Sequence, residues 1–237
     1  MSALNDTLFP RQPDADELAF RLQSGFRTLL DALARPGELT DLAALAPDAI
    51  DEGRRIGLFA QTMALCDVLL DGQTTVAVAG ERGSVVAHEL SHRTHAHIRP
   101  LEEAAFCIIP VGTSDADTAS AIAALSPGTL AAPDRGATCL VECATLIGPD
   151  RDGVRSGSSS GIGVPRAWRL SGPGIERSTR IACDRSVALD AVAARKDEFP
   201  CGIDLILVDA AGHVVGMPRS TQLVALDETE EVDAWVM

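Results

Sequence analysis

The chain has 237 residues, of which 46% are hydrophobic and 23% charged, enough to bury one substantial core. Its 34 acidic side chains outnumber 20 basic ones for a formal charge of -14, so the surface as a whole repels nucleic acid and anionic lipid. No apolar run approaches the ~18 residues of a spanning helix, and the opening MSALNDTLFPRQPDADE has acids and prolines where a secretory signal carries a basic segment and an apolar stretch; the expected location is cytoplasmic, with no membrane or nucleic-acid partner.

Asp14 followed by Glu17 forms a capping pair, after which Leu18, Leu22, Phe26, Leu29, Leu30 and Leu33 share one helical face. Pro36 and Gly37 stop that helix. A second helix is expected over 54–70 and a short buried strand over 74–80, ended by glycine. A brief helix near 85–92, a strand at 106–109 and a helix over 115–125 capped by Ser114 follow. Next come a strand over 137–146 and a loop of roughly 15–20 residues, long for a connection between strands, containing the Gly/Ser-rich stretch 155–165.

The segment AWRLSG resumes β structure, and RSTRIAC at 177–183 can pair with it. Asp184 is expected to cap a helix that ends before Phe199-Pro200. The apolar runs 203–208 and 214–217, joined by a turn at 210–213 and closed by Pro218, predict a β-hairpin over 202–217. Helices alternating with short apolar strands argue for an α/β fold with helices on both sides of a mixed sheet, the hairpin adding an antiparallel pair. Residues 1–226 are expected to form a single α/β domain with a flexible loop at 149–165; the acidic stretch 227–237 is expected to be a frayed, solvated C-terminal tail, the alternative being that Trp235 docks on a neighbouring chain.

Six cysteines (Cys66, Cys107, Cys139, Cys143, Cys183 and Cys201) are scattered without a C-x-x-C pair, which reads as reduced, mostly buried thiols. Cys139 and Cys143 fall four residues apart on one strand, about 13 Å at strand rise, too far to share one ion. The sharpest local signal is His88-Glu89-Leu90-Ser91-His92, a literal H-E-x-x-H. On a helix its histidines share a face and can ligate zinc while Glu89 activates water, which makes a zinc-dependent hydrolase the alternative function. Pro100 limits the helix, the downstream glycine of the extended pattern is missing, and His95, His97, Glu102 and Glu103 compete as third ligand. The expectation is no bound metal.

The segment from Gly157 to Gly163 offers backbone N–H groups to an anion but lacks the G-K-[ST] ending of a nucleotide P-loop, and the G-x-S-x-G within it, centred on Ser159, has no flanking strand and helix. Lys196, the single lysine, sits in the charged run Ala-Arg-Lys-Asp-Glu, ordinary for a surface side chain. What remains is the C-terminal hairpin. Asp204 at the start of an apolar strand needs a partner, and Arg219 just past the returning strand supplies one. Asp204, Arg219, Ser220 and Thr221 are therefore the candidate cleft for a phosphate or a partner loop. No catalytic set is assembled.

Four stretches, GFRTLLDALARPG from Gly25, SPGTLAAPDRGATCLVEC from Ser126, RLSGPGI from Arg169 and FPCGIDLILVDAAGHVVGMPRST from Phe199, resemble in order and spacing the H subunit of the bacterial carbon-phosphorus lyase core complex, from about Ala19 to about Leu226. The resemblance implies a three-layer α/β/α fold like the large domain of pyridoxal-phosphate-dependent transferases but without the cofactor. It also implies a homodimer when isolated, the G, I and J subunits as partners, and a supporting role in forming ribose 1-methylphosphonate 5-triphosphate from ATP and methylphosphonate.

Overall fold

Short apolar runs set between turn residues become strands, and the segments joining them become helices over both sheet faces. The computed structural model describes residues 15–42, 55–149 and 165–226. In chain order these form helix α1 (Ala15–Ala34), strand β1 (Thr40–Asp41), α2 (Ala60–Leu69), β2 (Thr75–Val78), α3 (Gly83–Thr94), β3 (His97–Ile98), β4 (Phe106–Ile109) and α4 (Asp115–Ala124). There follow β5 (Pro127–Thr129), β6 (Ala132–Gly136), β7 (Thr138–Cys143), β8 (Leu146–Ile147), β9 (Arg166–Ser171), β10 (Thr179–Cys183), α5 (Ser186–Ala194), β11 (Asp204–Asp209), β12 (His213–Met217) and β13 (Gln222–Ala225). No helix among the described residues is long and apolar enough to cross a membrane.

A seven-stranded mixed sheet in the order β1-β12-β11-β7-β4-β2-β3 forms the centre. The run from β3 to β11 is parallel, and β12 pairs antiparallel with both β11 and β1. Because side chains alternate along a strand, Cys107, Cys139, Val141, Leu205 and Leu207 face one core with Ile122 of α4 and Leu189 of α5. Ile108, Leu140, Ile206 and Val208 face the other, against Leu29 of α1, Met63 of α2 and Leu90 of α3. The first core is also covered by a four-stranded sheet, β13-β9-β10-β8, whose Trp168, Leu170 and Ile181 are buried there. One outer layer is thus helical, whereas the other is part helix and part antiparallel sheet.

The expected hairpin is β11 and β12, paired from Leu205↔Met217 to Val208↔Val214. Strand 106–109 and the Ser114-capped helix also form where expected, with the Ser114 hydroxyl accepting the Asp117 N–H at 3.1 Å. Other expectations need correction. The helix over 54–70 is interrupted at Gly57, whose φ of 87 is a left-handed geometry natural only to glycine. The strand over 137–146 divides, because the Asp184 carboxylate accepts the N–H groups of Ala144 (3.2 Å) and Thr145 (3.0 Å) and sends the chain into the second sheet as β8. Asp184 therefore does not cap α5, whose N-cap, Arg185, makes no side-chain capping bond. The β5–β6 hairpin and β13 were not expected. The Asp14 cap, the 155–164 stretch and Trp235 lie outside the described residues.

On α1 the buried line is Gly25, Leu29 and Ala32, with Leu22 and Leu33 half-buried, while Leu18 (47%), Phe26 (47%) and Leu30 (50%) stand exposed. The helix is rolled away from its largest residues because small ones let its backbone approach the sheet. A Cβ on Gly216 of β12 would lie 2.7 Å from the Ala32 carbonyl oxygen and 2.9 Å from the Leu33 nitrogen. A Gly216→Ala variant is therefore expected to lose about 1–3 kcal/mol of stability through overpacking, measured by urea unfolding. An unchanged midpoint would mean that the helix yields freely.

Candidate functional site: the cleft beside the C-terminal hairpin

Antiparallel pairing of β11 with β12 carries Arg219 back to Asp204. The Arg219 backbone N–H and Nε donate to Asp204 Oδ1 at 2.8 and 3.2 Å, and Nη2 donates to Oδ2 at 2.6 Å. Nη1 donates to the carbonyl of Pro133 on β6. The hydrogen bonds to Asp204 hold the guanidinium above its ordinary value, outweighing the opposing effect of burial. Gly202, with φ 146, leaves room for this arrangement, since a Cβ there would fall 2.9 Å from Arg219 Cβ.

A cleft of ≈ 280 Å³ opens beside this pair, with Arg195, Asp197, Cys201, Arg219 and Thr221 among its walls. Of the four sequence candidates, Arg219 and Thr221 line it, Asp204 stands behind Arg219, and Ser220 packs its carbonyl toward Gly172. Arg195 is committed inward as well: Nε donates to Asp197 Oδ2 at 2.6 Å and Nη2 to the Leu125 carbonyl at 3.0 Å. Both guanidinium groups serve the fold. The Thr221 hydroxyl is buried without a hydrogen-bond partner among the described residues. These walls can receive a polar group or a loop; they do not pair a nucleophile with a base.

His88 and His92 are exposed on α3. His88 Nδ1 lies 2.7 Å from the Ser84 carbonyl, and Glu89 pairs with Arg55 at 3.2 Å. His95 takes the left-handed cap of α3 (φ 64), and His97 belongs to edge strand β3. Among the described residues no three His, Cys, Asp or Glu side chains are grouped to hold a metal ion. Lys196 is exposed beyond α5. Cys107, Cys139, Cys143 and Cys183 are buried, as is Cys66. Burial is the main force pushing the Cys66 and Cys143 thiols up, and the contact with Cys107 does the same for Cys139. The 157–163 segment, with Ser159, lies outside the described residues.

Three buried charged side chains escaped the sequence reading, Asp209 at the hairpin turn and the neighbouring Glu142 and Arg185. Glu142 of β7 is 0% exposed and accepts the N–H of Phe59 (2.6 Å) and of Val111 (3.0 Å). Desolvation pushes its carboxyl up, against the lowering effect of those bonds and of nearby Arg185. The Thr62 hydroxyl faces the same carboxyl without reaching hydrogen-bond geometry. Arg185, 5% exposed, donates to the Thr113 carbonyl at 3.0 Å and to the Thr118 hydroxyl at 2.7 Å. Together Glu142 and Arg185 fix the loop between β4 and α4. The one local signal for them was a glutamate inside the apolar run CLVEC.

Residues 14–224 match the family model described as "Bacterial phosphonate metabolism protein (PhnH)". A relative from Rhizobium meliloti (strain 1021), "Alpha-D-ribose 1-methylphosphonate 5-triphosphate synthase subunit PhnH", is 31% identical over 206 residues, covering 86% of this chain and 90% of that protein. The chain belongs to the PhnH family of phosphonate metabolism proteins.

Proposed function

We propose that this chain is an accessory subunit of a multi-subunit enzyme of organic phosphonate catabolism, needed to form α-D-ribose 1-methylphosphonate 5-triphosphate from ATP and methylphosphonate. The observation that carries the reading is the extent of the match, 14–224 against the family model, which takes in every layer of the fold rather than one motif. Its partners in this reading are the G, I and J subunits of the carbon-phosphorus lyase core, with a homodimer when isolated and a cytoplasmic setting. The hairpin cleft at Arg219 and Thr221 receives a partner loop or a phosphate.

The chemistry falls mainly to the partners. A charge of -14 repels a tetra-anionic nucleotide unless local cations offset it, and the cleft's Arg195 and Arg219 are already tied to Asp197 and Asp204. The scaffold works without pyridoxal phosphate in this reading, since its single lysine is exposed in a charged run. The zinc-hydrolase alternative gains nothing from the placement of His88, Glu89 and His92.

The test is reconstitution with ATP and methylphosphonate. Product should form when the partner subunits and this chain are combined, and should be absent when either is omitted. Full activity without the chain, or turnover by the chain alone, would overturn the proposal.

A further inference from the structure

We propose that the crevice where the winding of the central sheet reverses binds a small molecule through a phosphoryl or phosphonyl group, held by the open N-terminus of α3, the Arg82 guanidinium and the Thr113 hydroxyl. This site is separate from the hairpin cleft and does not depend on the subunit reading.

β2 and β4 lie side by side and parallel, with Val78 opposite Ile108. From β2 the chain turns through α3 to β3 on one side, and from β4 through α4 to β7 on the other. The two helices cover opposite faces, since Leu90 of α3 and Ile122 of α4 belong to different cores. In open α/β sheets such a reversal leaves a crevice beyond the carboxyl ends of the strands, the usual place for a ligand. Here it measures ≈ 450 Å³, with Gly57, Gly80, Arg82, Gly83, Thr113 and Asp117 among its walls. That is room for more than a bare anion.

The two helix starts at this crevice differ. That of α4 is closed by its own residues, with the Ser114 hydroxyl accepting the Asp117 N–H and donating to Asp117 Oδ2 at 2.8 Å. The N-cap of α3, Arg82, makes no side-chain capping bond, so the N–H groups of Ser84 and Val85 lack an intrahelical partner, and the helix presents its partial positive charge to the crevice. Two glycines allow this approach. Gly80 has φ 90, and a Cβ on it would meet Thr113 Oγ1 at 3.0 Å; a Cβ on Gly83 would overlap the Val78 carbonyl.

Thr113 supplies an independent indication. The residue is only 7% exposed and lines the crevice. Its N–H donates to the Pro110 carbonyl, its carbonyl accepts from Arg185, and its hydroxyl makes no hydrogen bond among the described residues. The Thr113 oxygen itself opens to the crevice, so its hydroxyl can donate to an oxyanion there. Arg82 is exposed and has no ion-pair partner among the described residues; its Nη1 lies 3.5 Å from where a Cβ on Gly57 would stand, across the crevice mouth. Two carboxylates also line the crevice and oppose an anion there: Glu81 on the exposed rim and Asp117, whose Oδ2 accepts from the Ser114 hydroxyl. A guanidinium, free helix N–H groups and a hydroxyl together are the donors of a tetrahedral oxyanion site.

The full chain would be titrated separately with inorganic phosphate, methylphosphonate and AMP, reading backbone amide shifts by NMR. Saturable shifts centred on Gly83, Ser84 and Val85 are expected, and Arg82→Gln and Thr113→Val should each weaken binding by about tenfold. Arg177→Gln, on another surface, should leave binding unchanged. Tighter binding of AMP than of phosphate assigns an ester ligand; comparable binding of phosphate and methylphosphonate assigns the PO₃ group itself. No saturable shift with any probe, or wild-type binding in both crevice variants, would overturn the proposal.

Discussion

Replacing Glu142 with leucine is expected to lower the stability of the fold by about 3–5 kcal/mol, or roughly 6–20 °C in unfolding midpoint for a chain of this size. The leucine fills most of the volume but offers no acceptor to the Phe59 and Val111 N–H groups, which now meet the carboxylate at 2.6 and 3.0 Å. Each buried donor left unpaired costs about 1–3 kcal/mol. The relieved desolvation of the carboxyl offsets part of this, and the lost fixation of the loop between β4 and α4 adds to it. Glu142→Gln should fall between the two, because its amide NH₂ faces one of the N–H donors.

The direction of the Glu142 shift gives the prediction a pH signature. Burial pushes the folded-state carboxyl above its ordinary value, so the folded protein keeps this proton to higher pH than the unfolded chain does. The protonated group's contribution is full below the ordinary glutamate value and is lost as pH rises through the folded one. Leucine has no such slope, so the stability gap between wild type and variant should narrow from acid toward neutral pH. A gap that widens over that range would sink the account, as would a loss below about 1 kcal/mol, the range of an ordinary substitution.

What the sequence made legible was local. Strand 106–109 and the helix after Ser114 depend on short apolar runs and a cap three residues away, and the hairpin depends on a turn whose Asp209 carboxylate accepts the Ala211 and His213 N–H groups at 2.9 Å. The break after Cys143 was illegible because Asp184, 40 residues on, causes it. Glu142 finds Phe59 across 83 residues. The apolar face of α1 was legible but its depth was not: Gly25 and Ala32 decide how near the helix comes, and Leu18, Phe26 and Leu30 stay exposed. The same division applies to the sites. Asp204 and Arg219 were visible as ends of one hairpin, whereas Gly80, Arg82 and Thr113 meet only through the pairing of β2 with β4. Gly80 was legible as a strand terminator but not as a wall.

The Asp204–Arg219 pair should behave asymmetrically when broken. Asp204→Ala leaves a guanidinium only 18% exposed with its Pro133 contact and only the weaker influence of Asp134 as counter-charge, for an expected loss of about 2–4 kcal/mol. Arg219→Met keeps the stem, and the Asp204 carboxylate still accepts the backbone N–H of residue 219, now at 2.8 Å; its cost should be smaller, about 1–2 kcal/mol. The double variant should lose less than the sum of the two, with a coupling of about 1–3 kcal/mol. Thr221→Val separates the structural role of the pair from the proposed reception of a partner. The Thr221 hydroxyl has no partner to lose among the described residues, so stability should change by no more than about 0.5 kcal/mol while binding to the partner subunits weakens. Zero coupling in the cycle would refute the pair as a lock on the hairpin; Thr221→Val binding the partners as tightly as wild type would remove the cleft from the interface.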